Sequence, residues 1–262
     1  MLKKHRLVSL FTAIVILLCS IGASAQTSVN YDEYLLSTGF PASVIANMSE
    51  QYKEFVYNNT KNKDFSFSNY ESKQFNVNED GAMMETQQNE ITPYGGIISP
   101  SDMTMSVIGG TINSADGVTY TVLPSFVWHK VKKVKNDSFS MSMYSGWEAI
   151  PGERNFSLHF KNAAGNSTSV DLNPTGASSS GYTYKIPSNV GAVQGLYEGY
   201  AYFDLDKVSS NASPRISLHY AHDASALINA SYGISLGVGS ISVSGDTNKL
   251  YEMADNFYIE GI

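Results

Sequence analysis

Two short patterns hold most of the side chains that could do chemistry in this chain. The first is His219-Tyr-Ala-His222 followed by Asp223, the closest pair among His129, His159, His219 and His222. Zinc needs its histidines on one side of the backbone, and an offset of three on a strand sends them to opposite faces. His222 and Asp223 would make half of a hydrolase triad, but no Gly-x-Ser-x-Gly elbow accompanies them. No catalytic residue and no cofactor follow from these side chains.

The second pattern runs from 197 to 206. Read as a strand, it places Tyr197, Gly199, Ala201, Phe203 and Leu205 on one face and Glu198, Tyr200, Tyr202, Asp204 and Asp206 on the other. The first face suits a core. Exposed tyrosines flanked by acids suit a sugar, because the ring stacks on the pyranose while the acids accept its hydroxyl protons. Glu198, Tyr200, Tyr202 and Asp204, with Tyr182 and Tyr184 from one face of another strand, are therefore the expected ligand-binding residues. Asp204 and Asp206 would stand about 7 Å apart along the strand. They form a weak calcium candidate, since Ca²⁺ takes six to eight oxygens and no EF-hand loop supplies the rest.

One basic run, His129-Lys-Val-Lys-Lys-Val-Lys135, brings Lys130, Lys132, Lys133 and Lys135 together as a surface patch. It could meet an anionic polymer or lipid headgroups, although lysines also guard edge strands against aggregation. The chain as a whole is acidic, with 17 Lys and Arg against 24 Asp and Glu. That balance argues against nucleic acid as a partner and against general adhesion to anionic membranes.

These side chains must be positioned by elements that the patterning also predicts. Residues 1–25 read as an export leader, with basic Lys3, Lys4 and Arg6, an apolar stretch to Ile21, and Ala23-Ser-Ala25 as the cleavage site. Cys19, the single cysteine, lies inside it, so the exported chain is expected to rely on its core without disulfides. Removing the leader takes the basic count from 17 to 14 and the net charge from −7 to −10.

Residues 26–60 form the helical segment. Val44, Ile45, Met48, Tyr52, Phe55 and Val56 make one apolar stripe, Gly39 stops a first helix, and Ser49 could cap a further one. Such a stripe is expected to pack on a sheet. Residues 61–100 are polar and turn-rich, and read as a linker or long loops with short edge strands near Phe65, Phe67, Phe75 and Val77.

From 101 to 262 alternation is persistent, as at Met103, Met105 and Val107, at Phe139, Met141 and Met143, and at Phe156, Leu158 and Phe160. Asp116-Gly117 signals a hairpin, and Trp128 and Trp147 suit core or rim anchors. Residues 232–244 alternate as a strand that slips phase at Gly239-Ser240, as a bulge or bend would do. No helical pattern intervenes. The fold class is therefore all-β, an antiparallel two-sheet sandwich preceded by a small N-terminal helical hairpin.

Tyr31-Asp-Glu-Tyr-Leu35 with Gly39-Phe-Pro41 and Lys53-Glu-Phe-Val-Tyr57 resembles an N-terminal segment in uncharacterised secreted proteins of Gram-positive bacteria. Ser125-Phe-Val-Trp128, Asp137-Ser-Phe-Ser-Met141, Tyr220-Ala-His222 and the 232–244 stretch are similar to the same group. The resemblance implies secretion and a β-rich fold, and brings no activity with it. The expected function is that of a secreted, non-enzymatic sandwich that binds an extracellular or cell-surface partner such as a glycan. The alternatives are a membrane-active, pore-forming protein and a secreted hydrolase.

Overall fold

The computed structural model describes residues 29–77, 83–85, 102–129, 137–161, 165–186, 197–223, 231–235, 240–244 and 250–258. The export leader and the lysines of the basic run, Lys130, Lys132, Lys133 and Lys135, lie outside these residues.

The helical segment near the N-terminus becomes three short helices, α1 (Tyr31–Ser37), α2 (Ala42–Ile45) and α3 (Glu50–Thr60), and the apolar stripe runs over the last two. The break between α2 and α3 falls at Ser49, whose hydroxyl accepts from Tyr52 N at 3.2 Å and satisfies one of the free amides at the helix start. All six stripe residues are buried. Lys53 ties α3 to α1 by pairing with Asp32 at 2.7 Å, and it also pairs with Glu50 of its own helix at 2.8 Å.

Strands follow. They are β1 (Asp64–Val77), β2 (Met83–Glu85), β3 (Met103–Ser114), β4 (Gly117–Trp128), β5 (Asp137–Met143), β6 (Trp147–Lys161) and β7 (Ser167–Asp171). The rest are β8 (Gly176–Ser178), β9 (Gly181–Ile186), β10 (Tyr197–Lys207), β11 (Arg215–Asp223), β12 (Ser231–Ser235), β13 (Ser240–Ser244) and β14 (Leu250–Tyr258). One sheet runs β2-β1-β3-β4-β10-β6-β7 and the other β14-β11-β5-β9-β8, with antiparallel pairing throughout. The protein is thus an antiparallel β-sandwich with an N-terminal helical segment. The predicted hairpin forms at Ser114↔Gly117, where Gly117 takes the positive φ of 132° that a side chain would resist.

Between the sheets lies an aromatic core. Phe126 sits edge-on to Phe139 and Tyr220, at centroid distances of 5.2 and 4.8 Å, and Phe156 stacks on Tyr184 at 4.5 Å. Trp128 and Trp147 are both buried in this core, as core anchors should be. The outer face of the seven-stranded sheet is covered as well. Phe65, Ile108, Ile112, Leu123, Tyr200 and Tyr202 form a second core with the helices. Three layers result, and β3, β4 and β10 are buried on both faces over most of their length.

Two expectations change here. The 61–100 stretch, expected as a linker with short edge strands, contains the fourteen-residue β1, which pairs with β3 from Asp64↔Asn113 to Phe75↔Met103. Its polar residues misled because side chains such as Ser66 and Asn69 sit beside buried ones on a strand that is only partly covered. The 232–244 stretch, expected as one strand with a bulge or bend, contains two strands. β12 and β13 pair antiparallel from Ser231↔Ser244 to Ser235↔Ser240 and form a two-stranded sheet of their own. Gly239 lies outside the described residues, and Ser240, where the alternation resumes out of phase, begins the second strand.

Candidate functional site

β10 organises the site because it is central in its sheet and polar on one row. Its odd residues Tyr197, Ala201, Phe203 and Leu205 enter the sandwich core, and its even residues Tyr200 and Tyr202 enter the core under the helices. Glu198 and Asp204 end the even row, one toward each end of α3. From Glu198 to Asp204 the strand covers about 20 Å. With a cap residue at each end, the eleven-residue α3 covers about 18 Å, so the helix can be held at both ends.

At the first end, Ser49 Oγ donates to Glu198 Oε2 at 3.1 Å and lies 2.8 Å from the Tyr200 hydroxyl. With its proton given to Glu198, Ser49 accepts from Tyr200. Tyr52 stacks on Tyr200 with centroids 4.7 Å apart and planes 12° from parallel, and its hydroxyl donates to Leu123 O at 2.7 Å. At the second end, Lys63 Nζ donates to Asp204 Oδ2 at 2.9 Å, to Glu153 Oε2 at 3.0 Å and to the Tyr202 hydroxyl. Thr121 donates to Asp204 Oδ1 at 2.6 Å, and Tyr202 donates to Oδ2.

This geometry overturns the exposed tyrosine platform. Tyr200 is 0% and Tyr202 3% exposed, and Tyr182 and Tyr184 are buried in the sandwich core, so none of the four offers a ring to a sugar. The physical reason is that a third layer covers the face, and tyrosine hydroxyls and acids tolerate such cover when they find partners. The calcium candidate fails too. Both oxygens of Asp204, which is 3% exposed, are engaged by Lys63, Tyr202 and Thr121, while Asp206 is exposed. Among the described residues no group of three or more acid, histidine or cysteine side chains could hold a metal ion.

Glu198 differs from Asp204. It is 0% exposed, and its Oε1 has no hydrogen-bond partner. Burial pushes its carboxyl above the ordinary range, and the Tyr200 and Ser49 hydroxyls draw it part of the way back. An unpaired buried carboxylate oxygen is costly. Glu198 forms part of the wall of a groove of about 200 Å³ beside α3, bounded also by Gln51 and Glu54 of α3, His159 and Lys161 of β6, and Ser167 and Ser169 of β7.

Strand register explains the grouping. Glu198 lies opposite His159, and His159 opposite Ser169, so the three form one row across β10, β6 and β7. Residues directly opposite in an antiparallel pair share a face. Burial holds the His159 imidazole below its ordinary range, against the pull of Glu54 and Asp171. His159 and Ser169 were not among the expected ligand-binding residues, and parity alone could not find them because the register that aligns them is set by pairing.

The other histidines lie elsewhere. His129 Nε2 is 2.8 Å from Thr104 Oγ1. The side chain of His222, and with it Asp223, falls outside the described residues. His219 is buried on β11, where desolvation lowers its imidazole to about 4. Because the folded value is below the unfolded one of about 6.5, the unfolded chain binds the proton first. Stability is full above about pH 6.5 and is lost as pH falls toward 4. In urea titrations across that window, His219→Gln is expected to show a shallower acid loss than the wild-type chain. Parallel curves would contradict it.

No protein-family model and no curated protein matches this chain. Solved structures similar to it include the Clostridium perfringens delta-toxin, at 6% identity and a TM-score of 0.34, covering 73% of this chain and 88% of that one. A collagen-binding domain from a Staphylococcus aureus adhesin follows at 8% identity and a TM-score of 0.30, covering 51% and 86%. The pilus backbone of Streptococcus pneumoniae is similar at 10% identity and a TM-score of 0.29, covering 40% of this chain but only 24% of that one. None of these likenesses assigns a ligand or an activity.

Proposed function

We propose that this chain is a secreted, non-enzymatic β-sandwich protein that binds an extracellular or cell-surface partner through the groove beside α3, the partner presenting a hydroxylated unit such as a glycan residue. The observation that carries the reading is the buried Glu198 Oε1, an acceptor without a donor on a residue that helps to line an open groove. The hydroxyls of Ser167 and Ser169, the Gln51 amide and the His159 imidazole add donors and acceptors around it. The leader-like N-terminus supports export.

A glycan array probed with the wild-type chain and with Glu198→Gln tests the reading. Hits are expected, weakened about tenfold or more in the variant, the scale of one charge-assisted hydrogen bond. No hits, or hits that the variant retains in full, would end it.

A second reading is favoured by one observation, the separate β12–β13 pair with its Ser and Gly alternation. A small sheet outside the two main ones is a suitable unit for membrane insertion after oligomerisation. It predicts dye release from liposomes, and silence across lipid compositions would remove it.

A further inference from the structure

Granting that the groove beside α3 is the binding site, we infer that the unit it takes carries a primary amine, as in an amino sugar with its nitrogen unacetylated. The lining includes two carboxylates and several hydroxyls among its polar groups. Glu198 Oε1 faces no donor, Glu54 brings a second carboxylate from an exposed position on α3, and Ser167 and Ser169 offer lone pairs along β7. Lys161, the cation of the lining, is exposed and lies opposite Ser167 in register.

An ammonium group supplies three donors and a positive charge at once. It would therefore satisfy the buried acceptor more fully than a neutral hydroxyl, and charge-assisted hydrogen bonds are the stronger kind. A bare metal ion is a poorer match, because among the described residues no acid and histidine group converges to ligate one. Size sets the rest. A groove of about 200 Å³ is smaller than the roughly 300–1,000 Å³ of sites for drug-sized ligands. It suits one monosaccharide-sized end unit rather than a long stretch of chain.

Isothermal titration with a glucosamine-terminated oligosaccharide and its N-acetylated twin tests this. The wild-type chain is expected to prefer the amine by about tenfold or more, a difference of about 1.4 kcal/mol. Glu198→Gln should remove the preference, and Glu54→Gln, on an exposed side chain where folding is not at stake, should reduce it several-fold. Equal binding of the two sugars, or a preference that survives Glu54→Gln unchanged, overturns the amine while leaving the groove as a glycan site. Absence of binding by either sugar, with no other glycan bound, overturns both.

Discussion

Tyr200→Ala is expected to lower the unfolding free energy by about 3–5 kcal/mol, the range for truncating a fully buried aromatic. The ring is closed in on several sides. Tyr52 stacks on it, Phe55 lies 5.7 Å and His159 5.1 Å from its centroid, and its hydroxyl meets Ser49. Truncation removes this packing and leaves a void between α3 and β10 that the backbone of a central strand cannot close. Tyr200→Phe keeps the ring and loses one hydrogen bond, so its cost should be about 1 kcal/mol. Urea unfolding of both variants checks the pair of values. Had Tyr200 been an exposed sugar platform, the alanine change would cost no more than about 0.5 kcal/mol, as surface substitutions do.

The other end of α3 should be nearly as sensitive. Lys63→Met leaves Asp204, which is 3% exposed, with hydroxyl donors from Thr121 and Tyr202 but no cation. Removing one partner of a buried pair costs about 3–5 kcal/mol. The low end applies, because the Lys63 side chain is 28% exposed and Asp204 keeps two donors. Lys63→Met combined with Asp204→Leu should recover only part of the loss, since no buried charge is left behind but the Thr121 and Tyr202 hydroxyls lose their acceptor. The same urea series reads it. A single variant as stable as the wild-type chain would show that Lys63 does not hold the helix end.

How much of this was legible in the sequence differs between the fold and the site. Period-2 alternation at 103–107, 139–143 and 156–160 marked strands that the structure contains, and the 3.6-residue stripe from Val44 to Val56 marked a helical face that must land on something. What the alternation could not say is where it lands. On β10 the polar-looking row Glu198, Tyr200, Tyr202, Asp204 reads as solvent-facing, because each of these side chains has a polar tip. Each tip instead meets Ser49, Lys63 or a neighbour beneath the helices.

The helical stripe and the tyrosine row were two halves of one interface separated by about 150 residues, and nothing local links them. Glu198 thus reads as exposed from the pattern and is buried in the fold. His159 and Ser169 came into view only once β6 and β7 were aligned beside it. The 232–244 stretch shows the same limit, since a phase slip within one strand and a reversal between two strands leave similar patterns in sequence.

The most direct test of the groove as the binding site is amide chemical-shift mapping during titration with the strongest glycan from the array. The account predicts that shifts concentrate at Gln51 and Glu54, at His159 to Lys161, at Ser167 to Ser169 and at Glu198, and that Glu198→Gln removes them. Shifts that concentrate on β12 and β13, or that leave these groove residues unmoved, would contradict it.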